Sequence, residues 1–208
     1  SDKLIQEGMR RGLMQGRTQG LEQGLRQGRT QGLEQGIAKN VRTHLWDEKR
    51  QKFIPHIYPE KSPIPEGFDE LAIHYHGGTA IAIEAGLLSK DEIRTVNAQM
   101  LENVRLSGMP SIGLTLYPVY PDGFFHGGMS KAYLYQNGGD WTWFGGRMIQ
   151  QLVVNGMVEE AYAEIHPMIE RVIQNDGFYQ WYGKGGVPSG SGNFKGSAGV
   201  LSKAIELL

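Results

Sequence analysis

Tyr135-Gln136-Asn137-Gly138-Gly139-Asp140-Trp141-Thr142-Trp143-Phe144-Gly145-Gly146-Arg147 begins as a polar, ring-rich loop and runs directly into small and apolar residues that continue to Asn155. The periodicity predicts a helix over 141–155 that is apolar on most sides, and such a helix belongs in an interior. Two more segments share the pattern: 76–87, opening His76-Gly77-Gly78-Thr79, and 195–207, opening at Lys195. Three others, 37–52, 89–106 and 157–174, keep one polar side and belong outside. Ser89 and Glu92 have the spacing of a capping box, and Gly108 and Gly177 stand as stop signals. Polar and apolar helices alternate. Short links join each apolar helix to the next polar one, while long loops, 53–75, 107–140 and 175–194, precede each apolar helix. This order predicts an all-α fold of αα-hairpins whose long loops meet at the end where the inner helices begin.

The 208 residues suit one domain, or a small domain with a tail. A net charge of −1, from 21 basic and 22 acidic residues, gives no global field toward nucleic acid or an anionic membrane. No apolar run is long enough for a transmembrane helix, and Ser1-Asp2-Lys3-Leu4-Ile5 lacks the pattern of a signal peptide on this chain. The absence of cysteine excludes disulfides and thiolate zinc sites.

Two regions are expected: a low-complexity repeat over 1–36 and a folded domain over 37–208. In the repeat, glycine stands at every fourth position from Gly8 to Gly36, and the block Arg17-Thr18-Gln19-Gly20-Leu21-Glu22-Gln23-Gly24 recurs unchanged at 29–36. A period of four exceeds 3.6, so the glycine and leucine stripes drift by about 40° per repeat around a straight helix. Glycine also costs about 1 kcal/mol relative to alanine inside a helix. The repeat is therefore read either as a helix that pairs with a second copy or as a disordered leader. Its polar filling does not match a membrane GxxxG motif. It resembles the glycine-rich tails of some transposase-related nucleases, without any nuclease motif beside it.

The three long loops mix aromatic rings with carboxylates, amides and histidines. Pyranose C–H faces stack on rings, and sugar hydroxyls need paired donors and acceptors. The candidate binding residues are Trp141, Trp143, Trp181, Tyr182, His74, His76, Asn137 and Arg147, with Glu70 and Asp140 as carboxylates. The plainer reading is that the rings plug helix ends. His74 and His76, with His56 and Glu70, form only a weak metal set, and no metal is expected. Arg147, one turn into an apolar helix, needs a carboxylate, and Asp140 is the expected partner.

His74-Tyr75-His76-Gly77-Gly78-Thr79, the 135–143 phrase with its NGG-x-W-x-W core, and Gly177-Phe178-Tyr179-Gln180-Trp181-Tyr182 with Gly190-Ser191-Gly192-Asn193-Phe194-Lys195-Gly196-Ser197-Ala198-Gly199 resemble the six-hairpin glycosidases. The likeness is to members of the amylo-α-1,6-glucosidase and glucosidase/trehalase-like groups, and it covers about 37–208. It implies an (α/α)6 barrel, of which this chain supplies about three hairpins, the C-terminal half of a partial toroid. It implies an inverting α-glycoside hydrolase ancestry and an oligosaccharide or glucoside partner; no cofactor is expected, and the location is left open between bacterial cytoplasm and periplasm. In such an enzyme an acid and a base stand roughly 6.5–9.5 Å apart. The resemblance puts the general acid in the missing earlier half and the general base at the place of Gln180. An amide cannot take a proton from water, so the chain is expected to be inactive or incomplete alone, with Asp140 and Glu70 as the remaining catalytic candidates. A half barrel also leaves apolar flanks open, which favours self-association. The alternative reading is a non-catalytic oligomerising or binding module.

Overall fold

The computed structural model describes residues 2–208, with side chains described at Arg17 and from Gln19 onward. The chain divides into two compact units, Ser1–His44 and Leu45–Leu208. Among the described residues the fold is all-α, 56% helical with six helices and only small sheets.

The repeat is helical, within α1 (Asp2–Leu45). Leu21, Leu25, Leu33 and Ile37 are all exposed along it. A Cβ added at Gly20, Gly24, Gly28, Gly32 or Gly36 would meet nothing within 4 Å. These glycines therefore cost helix stability and give no packing in return. Gly24→Ala and Gly28→Ala should each stabilise α1 by about 1 kcal/mol. Far-UV circular dichroism on heating checks this, and an unchanged or lowered helical signal would contradict it.

The separate helix expected over 37–52 does not form. Residues 37–45 continue α1, and Trp46–Asp47 (β1) then pairs antiparallel with Lys52–Phe53 (β2). The cause is local. The Asp47 carboxylate accepts the backbone N–H groups of Lys49 and Arg50, each at 2.9 Å, and so closes a turn that competes with helix. The Trp46 ring meets Phe53 edge-on at 5.0 Å and fixes the register of the hairpin.

The other helices follow the sequence closely: α2 (His76–Glu84), α3 (Lys90–Ser107), α4 (Thr142–Val154), α5 (Val158–Gln174) and α6 (Lys195–Leu207). The Ser89–Glu92 capping box opens α3, and Gly108, at φ 67°, closes it in the left-handed region. At the end of α5 it is Asp176, at φ 49°, that turns left-handed rather than Gly177. Inner helix α4 packs against α2 on one side, α6 on another and outer helix α5 behind. One core joins Ala80 and Ile83 of α2, Val96 and Met100 of α3, Met148 and Leu152 of α4, Ile165 and Met168 of α5, and Leu201 of α6. Gly145 makes the α4–α5 approach possible. A Cβ there would strike the Met168 side chain and lie 2.9 Å from the Gly113 backbone. A second cluster, Ile73, Leu116 and Tyr120 with Phe68, Phe124 and Phe125 around them, gives the long loops a core of their own.

Candidate functional site

The loops that precede the inner helices are joined by backbone hydrogen bonds. His74–Tyr75 (β3) pairs antiparallel with Leu116–Tyr117 (β4). Leu114 bridges Asp140, Asp140 bridges Tyr182, and Trp181–Tyr182 (β5) pairs with Pro188–Ser189 (β6). Phe178 bridges Asn193, just ahead of α6. Thr115 is the main tie. Its carbonyl accepts His76 N–H at 2.9 Å, its N–H donates to Gly139 O at 2.9 Å, and its hydroxyl accepts Gly138 N–H at 3.1 Å. The three loop segments thus occupy one end of the second unit, where α2, α4 and α6 start.

Several candidate residues build this frame from within. Asp140 is fully buried. Its Oδ1 faces Arg171 Nη1 at 2.8 Å, and its Oδ2 accepts the Ser111 hydroxyl at 2.6 Å. Arg171 also donates to Thr142 Oγ1 at 2.7 Å and lies over the Tyr182 ring at 4.1 Å. Tyr182 and Trp141 are buried, and the Trp141 indole N–H donates to Tyr135 O at 3.2 Å. Asn137 is buried and clamps Tyr120, accepting its N–H at 2.9 Å and donating to its carbonyl at 3.1 Å. These side chains present no open surface to a sugar. The Arg147–Asp140 pairing expected from sequence is not made: Arg147 instead pairs with Glu84 of α2 at 2.6 Å, while Asp140 pairs with Arg171. Arg171 escapes a sequence reading because it lies on an outer helix. The available signal is its place on the same face as Ala161, Ile165 and Met168, where a charge needs a buried partner.

His74 and His76 are also interior, with ring centroids 5.1 Å apart. The Thr79 hydroxyl donates to Tyr75 O at 2.8 Å, so it accepts from His74 Nε2 at 3.0 Å. Asn103 Nδ2 donates to His76 Nε2 at 3.0 Å. These directions assign the proton of His74 to Nε2 and that of His76 to Nδ1. Burial lowers the His74 pKa to about 3, with a smaller push from Lys52, and lowers that of His76 well below the usual histidine range. Lys52, whose ammonium donates to Ile73 O, is itself pushed down to about 8 by burial. Glu70 does not join these histidines, and among the described residues no cluster of histidines and carboxylates could hold a metal ion.

Glu70 instead sits with His56. Its Oε1 receives His56 Nδ1 at 2.7 Å, the Tyr58 hydroxyl at 2.8 Å and the Tyr120 hydroxyl at 2.7 Å. Burial raises the pKa of this carboxyl, but the three hydrogen bonds outweigh it and hold the group below the ordinary glutamate value. Burial and the Glu70 charge push Tyr58 up to about 12. A carboxylate held ionised in this way is an acceptor, not a proton donor. Beside it lies a cleft of about 460 Å³, lined by Tyr58, Ser62, Phe68, Asp69 and Glu70 among others. Sequence reading names Glu70 but misses Tyr58, which contacts it from earlier in the same loop, and Tyr120, which contacts it from the next long loop.

The remaining candidates are half-buried. The Arg147 guanidinium lies over the Trp143 ring at 4.4 Å. Trp181 meets Tyr135 edge-on at 6.3 Å. Gln180 N–H donates to Ser191 O at 2.9 Å, and its side chain lies against Gly190. A recess of about 80 Å³ between Tyr75, Gly77, Gly78, Gln136 and Phe144 marks the start of α2. The structure therefore keeps Trp143, Trp181, Arg147, Gln180 and Glu70 partly accessible, and encloses His74, His76, Asn137, Asp140, Trp141 and Tyr182.

No family model and no curated protein matches the chain. Among solved structures it is similar to the GH63 mannosylglycerate hydrolase from Thermus thermophilus, crystallised in complex with glucose, with a TM-score of 0.52 and 18% identity, covering 78% of this chain and 34% of that one. The chain thus spans about a third of that protein's length. The likeness is one of fold: over the matched part the chain is built like part of a glycosidase helical barrel.

Proposed function

We propose that the chain is a carbohydrate-binding domain of six-hairpin glycosidase type, equivalent to the C-terminal half of an inverting α-glycoside hydrolase, and that it binds sugar without cleaving it alone. The observation that carries this reading is the shared ladder, which gathers three ring-rich loops at the helix starts. The glycosidase-like fold supports it, as does glucose in the similar hydrolase. The sugar contacts fall to Trp143, Trp181, Arg147 and Gln180, while the enclosed residues hold the loops in place. Hydrolysis is not assigned, because Gln180 cannot act as a base and Glu70 is poorly suited to act as an acid.

Titration of the chain with isomaltose, followed by tryptophan fluorescence, tests this. Saturable quenching is expected, with Trp181→Ala or Trp143→Ala weakening it about tenfold, or roughly 1.4 kcal/mol. No response from the wild-type chain would remove the proposal.

Self-association belongs to the same reading. Ile81 of α2, Val154 of α4 and Ile205 of α6 are all exposed. Exposed apolar side chains of this kind favour burial against a second copy. The exposed leucine row of α1 favours a second reading, in which the repeat is itself an oligomerising arm. Analytical ultracentrifugation of the chain and of a form lacking 1–36 separates the two, since only the second reading predicts monomers on removal of the repeat.

A further inference from the structure

The 460 Å³ cleft beside Glu70 is within the size range of small-molecule sites, roughly 300–1,000 Å³, whereas the 80 Å³ recess at α2 falls well below it. The Glu70 side chain is nine-tenths buried, yet it lines the cleft. All three of its donors converge on Oε1, and Oε2 receives no hydrogen bond among the described residues. One oxygen is therefore used to fix the carboxylate, and the other is left to accept. Lys52 offsets part of the neighbouring Asp69 charge, since the two interact electrostatically. Phe68 packs its ring against Tyr120 at 5.7 Å and also borders the cleft, next to the Ser62 hydroxyl.

The geometry points to a separate sugar subsite here: Glu70 Oε2 accepts a vicinal pair of hydroxyls from a neutral pyranose whose C–H face lies on Phe68. A fixed, ionised acceptor is what a diol needs, because the orientation of the carboxylate is set before the sugar arrives. The Tyr75 hydroxyl donates to that of Tyr120 at 3.2 Å, and Tyr75 also borders the recess at α2, so the subsite adjoins the loop end. This inference rests on the sugar-binding reading above but uses different residues, so the two can fail separately.

The test is a nuclear magnetic resonance titration of the full chain with methyl α-D-glucopyranoside, observing the His56 imidazole and Phe68 ring together with the Trp143 and Trp181 indoles. The subsite predicts saturable shifts at His56 and Phe68. Glu70→Gln should weaken them ten- to hundredfold, as expected on losing charge-assisted hydrogen bonds. Phe68→Ala, which keeps the three Glu70 donors His56, Tyr58 and Tyr120, should also weaken the saturable shift at His56 and guards against misfolding of the first variant. Shifts confined to the indoles would overturn the subsite and leave the loop-end reading standing. Shifts confined to His56 and Phe68 would support the subsite and count against the loop-end contacts. No shift anywhere would overturn both. Stronger perturbation by tetramethylammonium than by the glucoside would overturn the diol and make the cleft a cation site.

Discussion

Arg171→Ala should destabilise the Leu45–Leu208 unit by about 3–5 kcal/mol, the usual loss when one partner of a buried ion pair is removed. Asp140 is fully buried, and Arg171 is its charge partner at 2.8 Å. Without the guanidinium, Asp140 stays in the interior with only the Ser111 hydroxyl on Oδ2, and Thr142 loses a donor. The Tyr182 ring loses the cation above it. At about 2–4 °C per kcal/mol for a protein of this size, the melting temperature should fall by roughly 6–20 °C. Arg171→Met with Asp140→Leu should cost less than the sum of the two single changes, because neither charge is then left alone. Near-ultraviolet circular dichroism reports the tertiary loss directly. A change below 1 kcal/mol for Arg171→Ala would mean that the pair does not hold the loops together.

Acid should unfold the protein in a window set by His74 and His76. Burial keeps both neutral when folded, with His74 at about 3 and His76 well below 6.5. In the unfolded chain they take up protons near the ordinary histidine value of about 6.5. Below that pH the unfolded state binds more protons, so stability is full above about 6.5 and falls as pH drops toward the folded values. Each histidine contributes a slope approaching 1.4 kcal/mol per pH unit, and the pair about twice that. Glu70 adds to the fall at lower pH. Its folded pKa lies below 4.5, so its contribution is present above the unfolded value and is lost as pH drops through the folded one. Urea midpoints at pH 7 and pH 5 should therefore differ strongly, and His74→Gln should remove about half of the slope. Equal midpoints at the two pH values would show that the histidines are not kept neutral by burial.

Much of this architecture is legible in the residues alone. Ser89 and Glu92 cap α3 as their spacing requires, and the span 195–207 matches α6 residue for residue. These signals are local and need only neighbouring residues. The break after Leu45 is not legible in the same way, because it depends on the Asp47 side chain outcompeting a continuing amphipathic pattern. The enclosed state of His74 and His76 is also out of reach. It follows from β3 pairing with β4, some forty residues away along the chain. Sequence gives Arg147 the nearer carboxylate, Asp140, whereas the packing of α2 on α4 supplies Glu84. Glu70 stands out as a residue of interest from sequence, but its hydroxyl donors come from Tyr58 and Tyr120, and only the folded loops bring them together.

Thr115 and Asp140 have a practical consequence for anyone who wishes to redesign ligand choice. Thr115 bonds forward to Gly138 and Gly139 and across to His76, and the Asp140 backbone both gives to and takes from Tyr182. A graft that exchanges one of these stretches for a homologous piece will mismatch the other two. New specificity must be transplanted as a three-part cassette, cut at the helix starts, or else engineered only at outward side chains such as Trp143 and Trp181.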